Sequence, residues 1–129
     1  MKVLSKDKVT ALLDKIAQQA AVFVPMANEN GSGFYPWNDE HKTRPLLLNA
    51  LNVYTSPKYV LFPQTERMYD LKQQGQDLSI GQTHEDGSKR VIFGVRACDA
   101  RAIRCLDDVF LTRGFVDSFY QARRDNVTL

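Results

Sequence analysis

The segment FGVRACDARA, residues 93–102, contains the side chains of this sequence that are best suited to chemistry. An apolar run ends there in Arg96, and Cys98 and Asp99 follow where a helical pattern begins. Asp99 is a good N-cap, because its carboxylate can accept from the free N–H groups of a first helical turn. Cys98 would then lie where the helix dipole and the charge of Arg96 favour a thiolate. A thiolate binds iron or zinc, or reacts with a redox partner.

Packing is the competing interpretation of both cysteines, because free cysteines often behave as small apolar residues. Cys98 would then lie buried under a loop, and Cys105 would sit at the edge of the buried stripe of the same helix. At about 1.5 Å of rise per residue the two would be about 10.5 Å apart on one helix. A disulfide needs Cα atoms within about 7 Å. We therefore expect two free thiols, which fit a reducing compartment.

Glu66 and Arg67 occupy a second turn with chemical potential, after the apolar run YVLF and at the start of a predicted helix. Glu66 would complement the dipole of that helix, and capping is its simpler role. The carboxyl ends of parallel strands meet at one edge of a sheet. If the strands before Glu66 and Cys98 run parallel, the two turns are predicted to share that edge.

Other chemistries find little support in the residues. His41 and His84 stand in no recognisable metal-ligand spacing, and the sequence has no GxSxG, GxxxxGK[ST] or GxGxxG motif. Hydrolase, P-loop and dinucleotide-binding functions therefore lack a motif. Seventeen basic and fifteen acidic residues leave a net charge of +2, without a basic patch for nucleic acid.

The length of 129 residues fits one domain, residues 1–129. The N-terminus carries Lys or Asp every few residues and is not a signal peptide. No stretch approaches the roughly 18 apolar residues of a membrane span. We expect a cytoplasmic protein.

Apolar periodicity and turn residues predict the elements that position these side chains. The helices are predicted at residues 6–21, 64–74, 99–111 and 117–124. The strands are predicted at residues 21–25, 34–37, 58–62, 78–82 and 90–95. Gly75 should end the second helix, Asp86-Gly87 should join the last two strands in a hairpin, and residues 127–129 look like the start of another strand. Strands followed by helices indicate an α/β domain, a single compact unit with a mixed sheet flanked by helices.

Three segments in a fixed order add a family resemblance to this prediction. SPKYVLFPQTE, VIFGVRACDARAIRCLDDVFL and DSFYQARRDN resemble the iron–sulfur beta subunits of cytoplasmic hydrogenase/sulfur reductase complexes, and are similar to the corresponding iron–sulfur component of anaerobic sulfite reductase. The typical family forms are S-x-K-x-x-x-FPQ-x-E, F-G-V-R-P-C-D-A-x-A and D-x-(F/Y)-Y-x-x-R-R. The match covers residues 56–126. Ala97 stands where the family commonly has proline, which would stiffen the approach to Cys98.

The resemblance implies a non-catalytic module of an electron-transfer subunit, and the chain resembles the N-terminal domain of such a subunit. In the family, a longer C-terminal part carries ferredoxin-like 4Fe-4S clusters held by closely spaced cysteines. The implied cofactor is therefore a 4Fe-4S cluster in the full-length subunit, with none bound tightly to this domain. The implied partners are the cluster-bearing region of the same subunit and other subunits of a redox complex, with neither nucleic acid nor membrane.

For individual residues, the resemblance implies that Cys98 is a cluster ligand or lines the path to a cluster. Arg96, Asp99 and Glu66 are the further residues implied near the cofactor. Two other functions stay open. The chain could be a stand-alone thiol redox enzyme or sensor that uses Cys98, or an assembly module that only docks neighbouring subunits.

Overall fold

A computed structural model of the chain describes residues 3–29, 31–82 and 86–129. The α-helices within these ranges are α1 (Val9–Ala17), α2 (Ala97–Asp107) and α3 (Ser118–Asp125). The strands are β1 (Ala21–Asn28), β2 (Gly31–Pro36), β3 (Tyr69–Gln74), β4 (Asp77–Gln82), β5 (Arg90–Ile92) and β6 (Val127–Thr128). Short 3₁₀ turns occupy Lys6–Lys8 and Pro57–Val60, and a π-helical turn, Asp108–Thr112, continues α2.

The central sheet has four strands in the order β2-β1-β5-β6. β1 runs parallel to β5 and β5 runs parallel to β6, whereas β2 pairs antiparallel with β1. Phe23 on β1 lies opposite Ile92 on β5 in this register. β3 and β4 form a separate antiparallel pair. The mixed sheet with helices against it confirms the predicted α/β fold.

The apolar core consists of three clusters. In the first, Leu13 of α1 packs with Val24 and Met26 of β1, and all three are inaccessible to solvent. The second lies between the sheet and the turn Pro57–Val60, and contains Phe34, Val53, Val60 and Ile92. The third joins Leu61 to Ile103 of α2 and Tyr120 of α3. This third cluster fixes α2, and with it Cys98, to the rest of the fold.

The elements with a clear period were predicted correctly in kind. The first predicted helix forms as Lys6–Lys8 and α1, and the last two helices form as α2 and α3. The strands predicted at residues 21–25, 78–82 and 90–95 form as β1, β4 and β5, and residues 127–128 form β6. The strand predicted at residues 34–37 begins earlier, at Gly31, and forms β2.

Residues 58–74 depart most from the prediction. Residues 58–62 are not a strand, because Pro57 opens a 3₁₀ turn there, where its missing N–H costs nothing. Val60 and Leu61 are both buried, and they pack into the second and third core clusters. The predicted helix at residues 64–74 is also wrong, since residues 69–74 form β3. Gly75, with φ of +63°, makes the turn into β4 instead of ending a helix.

The hairpin predicted at Asp86-Gly87 is wrong as well. β4 pairs with β3, whereas β5 lies between β1 and β6 in the other sheet. Burial explains the outcome, because Ile92 of β5 is 1% exposed and gains its contacts from the central sheet. Glu85, which belongs to that predicted turn, and His84 lie outside the described residues.

None of the helices in the described ranges has the length and apolar character that a membrane crossing requires.

Trp37, the single tryptophan of the sequence, reports on a charged contact beside the first cluster. Its indole Nε1 donates to Asp14 Oδ1 at 2.9 Å, and Lys42 Nζ lies 3.1 Å from the same oxygen. The hydrogen bond from Trp37, followed by the bond from Lys42, holds the pKa of the Asp14 carboxyl below its ordinary value. A lowered pKa means that the folded state favours the ionised carboxylate.

We expect this contact to contribute stability above the ordinary carboxyl pKa of 3.8 and to lose it as the pH falls below that value. Urea unfolding followed by Trp37 fluorescence between neutral pH and about pH 3 measures the loss. Asp14→Asn keeps an oxygen acceptor for Trp37 and removes the titration, so its stability should fall less steeply over the same interval. Equal slopes for the two proteins would contradict the assignment.

Leu61 is a central core residue, since it is 0% exposed and packs in one cluster with Ile103 of α2 and Tyr120 of α3. Leu61→Ala should lower the free energy of unfolding by about 2–5 kcal/mol, because it leaves a cavity in the core. Leu51→Ala is the matched control, because Leu51 is 96% exposed. Its cost should stay within about 0.5 kcal/mol in the same denaturation experiment. Similar costs for the two variants would contradict the described packing.

Candidate functional site

Cys98 lies in the first turn of α2, as the sequence predicts, and its side chain is exposed. Cys105 is exposed as well, and both cysteines are free thiols. The prediction of two unbridged thiols is therefore confirmed. The interpretation of either residue as a buried packing residue is wrong, because α2 turns both of them away from the core.

Arg96 is the N-cap residue of α2, with extended backbone at φ of −92° and ψ of 160°. Its guanidinium donates to the carbonyl oxygen of Ala50 from Nε at 3.1 Å and from Nη2 at 3.0 Å. It also lies over the ring of Phe34, 5.8 Å from the centroid. These contacts commit the guanidinium to the loop before the 3₁₀ turn. Arg96 thus acts by positioning the start of the helix.

Asp99 does not have the capping role predicted for it. It is the third residue of α2, it is 6% exposed, and the N-cap position makes no side-chain cap hydrogen bond. Its Oδ1 accepts from Ser56 Oγ at 3.0 Å, and its buried Oδ2 has no hydrogen-bond partner within the described ranges. The carboxylate therefore ties the first turn of α2 to the residue that precedes the 3₁₀ turn.

Ala97 is the first residue of α2. Proline is readily accommodated at this position, because the N–H of the first helical residue needs no partner inside the helix. The proline typical of the resembled family would thus fit the same helix start. With alanine at this position, α2 begins at residue 97 and Cys98 is its second residue.

Glu66 belongs to a different set of contacts from Cys98. It pairs with Arg123 of α3 through both carboxylate oxygens, one of them 3.2 Å from Nη2. Arg123 is 5% exposed, and its Nε donates to the carbonyl oxygen of Leu61 at 2.7 Å. The shared edge predicted for Glu66 and Cys98 is wrong in its premise, since the strand predicted directly before Glu66 is instead the 3₁₀ turn Pro57–Val60. Glu66 instead holds the segment after the 3₁₀ turn against α3.

Tyr59 fixes the 3₁₀ turn Pro57–Val60 to β2. Its hydroxyl donates to the carbonyl oxygen of Phe34 at 2.6 Å, and burial raises its pKa to about 12. The phenol therefore stays a neutral donor at physiological pH. This bond fixes the turn Pro57–Val60, and with it the preceding residue Ser56, to β2.

The exposed face of α2 brings together three residues that were not predicted to form one surface. Cys98, Arg101 and Cys105 follow the spacing i, i+3, i+7, which places them on one face of a helix. Applying this period outward from Cys98 would have found them. An open cavity of about 560 Å³ lies along this face, lined by Ala100, Arg101, Arg104, Cys105 and Asp108. No ion pair of Arg101 or Arg104 is present in the part of the chain that the structure describes.

A four-iron cluster requires about four cysteine ligands, whereas the sequence contains two cysteines. Among the described residues, no group of three or more His, Cys, Asp or Glu side chains is placed to hold a metal ion. These residues alone therefore do not fit a cluster. Cys98 could supply at most one of its ligands.

Comparisons of the chain with models of protein families, with curated proteins and with solved structures find no match. The family resemblance of the three segments therefore remains a prediction. A functional proposal for this chain therefore uses two observations, the resemblance of the three segments and the geometry around Cys98.

We expect both thiols to react in the native protein, because both are exposed and unbridged. Titration with Ellman's reagent should give two thiols for the native chain, at rates close to those in denaturant. Cys98→Ser and Cys105→Ser should each give one. A native thiol that reacts only after denaturation would contradict the exposure of that residue.

Proposed function

We propose that this chain is a non-catalytic module of an iron–sulfur electron-transfer subunit, in an oxidoreductase complex of the hydrogenase, sulfur reductase or sulfite reductase type. Cys98 is the residue that faces the cluster-bearing region of such a subunit. The observation that carries the proposal is the contrast between Cys98 and the other three residues implied near the cofactor, Arg96, Asp99 and Glu66. Those residues hold the fold together, whereas Cys98 is exposed and free.

The three segments of the resemblance contact one another through their polar side chains. Ser56 of the first segment donates to Asp99 of the second, although 43 positions separate them. Glu66 of the first pairs with Arg123 of the third, 57 positions away. Residues that are distant in sequence but mutually paired behave as one structural unit. This supports treating the segments as a single signature instead of three chance similarities.

The second and third segments are joined in the same manner at Asp107. Its Oδ1 accepts from the hydroxyl of Tyr120 at 2.7 Å and from Arg124 Nε at 2.9 Å. Burial, followed by the bond to Asp107, raises the pKa of Tyr120, so the hydroxyl remains a donor at any physiological pH. The carboxylate thus has two fixed donors, and the second half of α2 is tied to α3.

These internal contacts leave few chemical groups for function. Arg96, Asp99 and Glu66 each have a structural partner, which explains their place in the motifs without a ligand. The Cys98 thiol does not contribute to the core and projects from a helix that is held at both ends. A group that is accessible and also rigidly positioned suits contact with a partner, because such a contact depends on fixed geometry.

The surroundings of Cys98 also suit a contact surface. Arg101 lies one turn further along the same face and makes no ion pair within the described ranges. The loop that Arg96 holds exposes large apolar side chains, with Leu51 at 96% and Tyr54 at 90%. Exposed apolar and arginine side chains are enriched where proteins meet. The cluster itself would be held by cysteines outside this chain, with Cys98 as one further ligand or as the nearest residue to it.

A tagged version of the chain, purified without oxygen from its native host together with its complex, tests the proposal. We expect iron and acid-labile sulfide in the complex, and reduction of a viologen dye coupled to it. Cys98→Ala should slow that electron transfer by about tenfold or more, which corresponds to about 1.4 kcal/mol. Cys105→Ala is the matched control, two turns along the same exposed face, and should leave the rate unchanged.

Two other results of this experiment would overturn the proposal, one the electron-transfer function and the other the role of Cys98. A complex without iron and sulfide would exclude the electron-transfer module and favour the thiol enzyme or sensor that uses Cys98. A complex with iron and sulfide in which Cys98→Ala behaves like Cys105→Ala would exclude the role of Cys98. The chain would then serve assembly alone.

A further inference from the structure

The hairpin β3–β4 stands apart from the three core clusters. Its two strands pair with each other over six residues each, and neither contributes to any of these clusters. Between Tyr69 and Gly81, only Asp70 is even partly buried. A two-stranded hairpin by itself is marginally stable in water. An additional surface is therefore needed to stabilise this one.

The two faces of the hairpin differ sharply in polarity. Directly opposed residues share a face in an antiparallel pair, and the register places Leu71 opposite Ile80 and Gln73 opposite Leu78. The intervening pairs, which include Lys72 with Ser79 and Gln74 with Asp77, lie on the opposite face. One face is thus apolar and the other carries the charges. Such a pattern is typical of a sheet with one buried side.

The apolar face is exposed to solvent in the single chain. Its large side chains are exposed by 58% at Tyr69 and Leu71, 61% at Leu78 and 67% at Ile80. Each of these side chains offers about 100 Å² of apolar surface, so the face presents about 400 Å² in total. The largest apolar patch of a typical monomer measures about 300–600 Å² and often marks an interaction site. We call this surface the hairpin face.

We propose that the hairpin face packs against the hairpin face of a second copy of this chain, and that the chain forms a reversible dimer through it. The face carries no charged side chain among its described residues, so an identical copy can cover it without burying an unpaired charge. Gln73 lies on the same face, and its Nε2 donates to the carbonyl oxygen of Gly75 at 3.1 Å. The second N–H of Nε2 and the amide oxygen can pair with the same amide across a two-fold axis.

Stacking of the two faces explains the pattern better than pairing of strand edges. Two hairpins joined edge to edge would make a longer sheet whose apolar side is still in water. Stacked sheets about 10 Å apart interdigitate their apolar side chains and exclude water from both faces. The charged sides of both hairpins, with Lys72 and Asp77, then stay solvated.

The area predicts how strong the dimer is. Two hairpin faces together bury about 800 Å² of apolar surface, whereas stable complexes bury about 1,200–2,000 Å². We therefore expect a weak, concentration-dependent dimer with a dissociation constant in the micromolar range or above. This inference does not depend on the electron-transfer role of Cys98.

Sedimentation velocity of the untagged chain, from about 10 µM to about 1 mM, tests the proposal. The wild-type chain should shift from monomer to dimer over this range. Ile80→Lys introduces a charge into the hairpin face and should weaken the dimer by at least about tenfold. Gln74→Lys is the matched control, because it adds the same charge on the opposite face of the hairpin, across from Asp77, and it should dimerise like the wild type.

Circular dichroism and urea unfolding of the three proteins show whether the fold is retained, and we expect it to be, since Ile80 lies outside the three core clusters. Leu71→Lys is a second variant on the opposing strand with the same expected loss of dimer. Monomers of all proteins at about 1 mM would overturn the proposal and leave the face to a different polypeptide. Equal weakening by Ile80→Lys and Gln74→Lys would place the contact elsewhere and overturn it too.

Discussion

The buried guanidinium of Arg123 is the constraint from which the arrangement around Cys98 follows. A charge that is 5% exposed needs fixed partners, and Arg123 finds them in the Glu66 carboxylate and the Leu61 carbonyl oxygen. Both partners follow the 3₁₀ turn, so α3 holds that turn in place. The turn in turn presents Ser56 to Asp99, and Asp99 fixes the first turn of α2. The placement of Cys98 thus depends on a buried charge in α3.

α2 is fastened at both ends while its outer face stays open. Ser56 and the carbonyl oxygen of Ala50 secure the first turn, and Tyr120 and Arg124 secure Asp107 near the last. The inner side of the helix contributes Ile103 to the third core cluster. Each fastening uses a polar side chain that has a defined partner. The two thiols remain outside this scheme, which makes them accessible on a rigid helix.

Local periodicity was sufficient for the helices and for the strands of the central sheet. α1 and α2 have apolar residues at helical spacing, and β1 and β5 are short apolar runs bounded by turns. Residues 58–74 could not be predicted in this way. There an apolar run became a turn because of Pro57 and tertiary packing, and the polar-apolar alternation of residues 69–72 outweighed the helical signal. Cys98 could be selected as a candidate from its position. The bonds of Arg96, Asp99 and Glu66 depend on contacts between distant segments, which spacing along the chain does not encode.

The parallel pairing of the central sheet has a consequence for how the chain folds. α1, β1 and β2 are consecutive and can associate early, since their contacts are local. β5 joins the sheet only when Ile92 pairs with Phe23, which is 69 positions earlier in the chain. β6 completes the sheet only when Val127 pairs with Arg90. Contacts of such long sequence separation slow folding. During synthesis, the edge of β1 with which β5 later pairs stays open until most of the chain has left the ribosome, and the thiol of Cys98 is made before its helix has been anchored by α3.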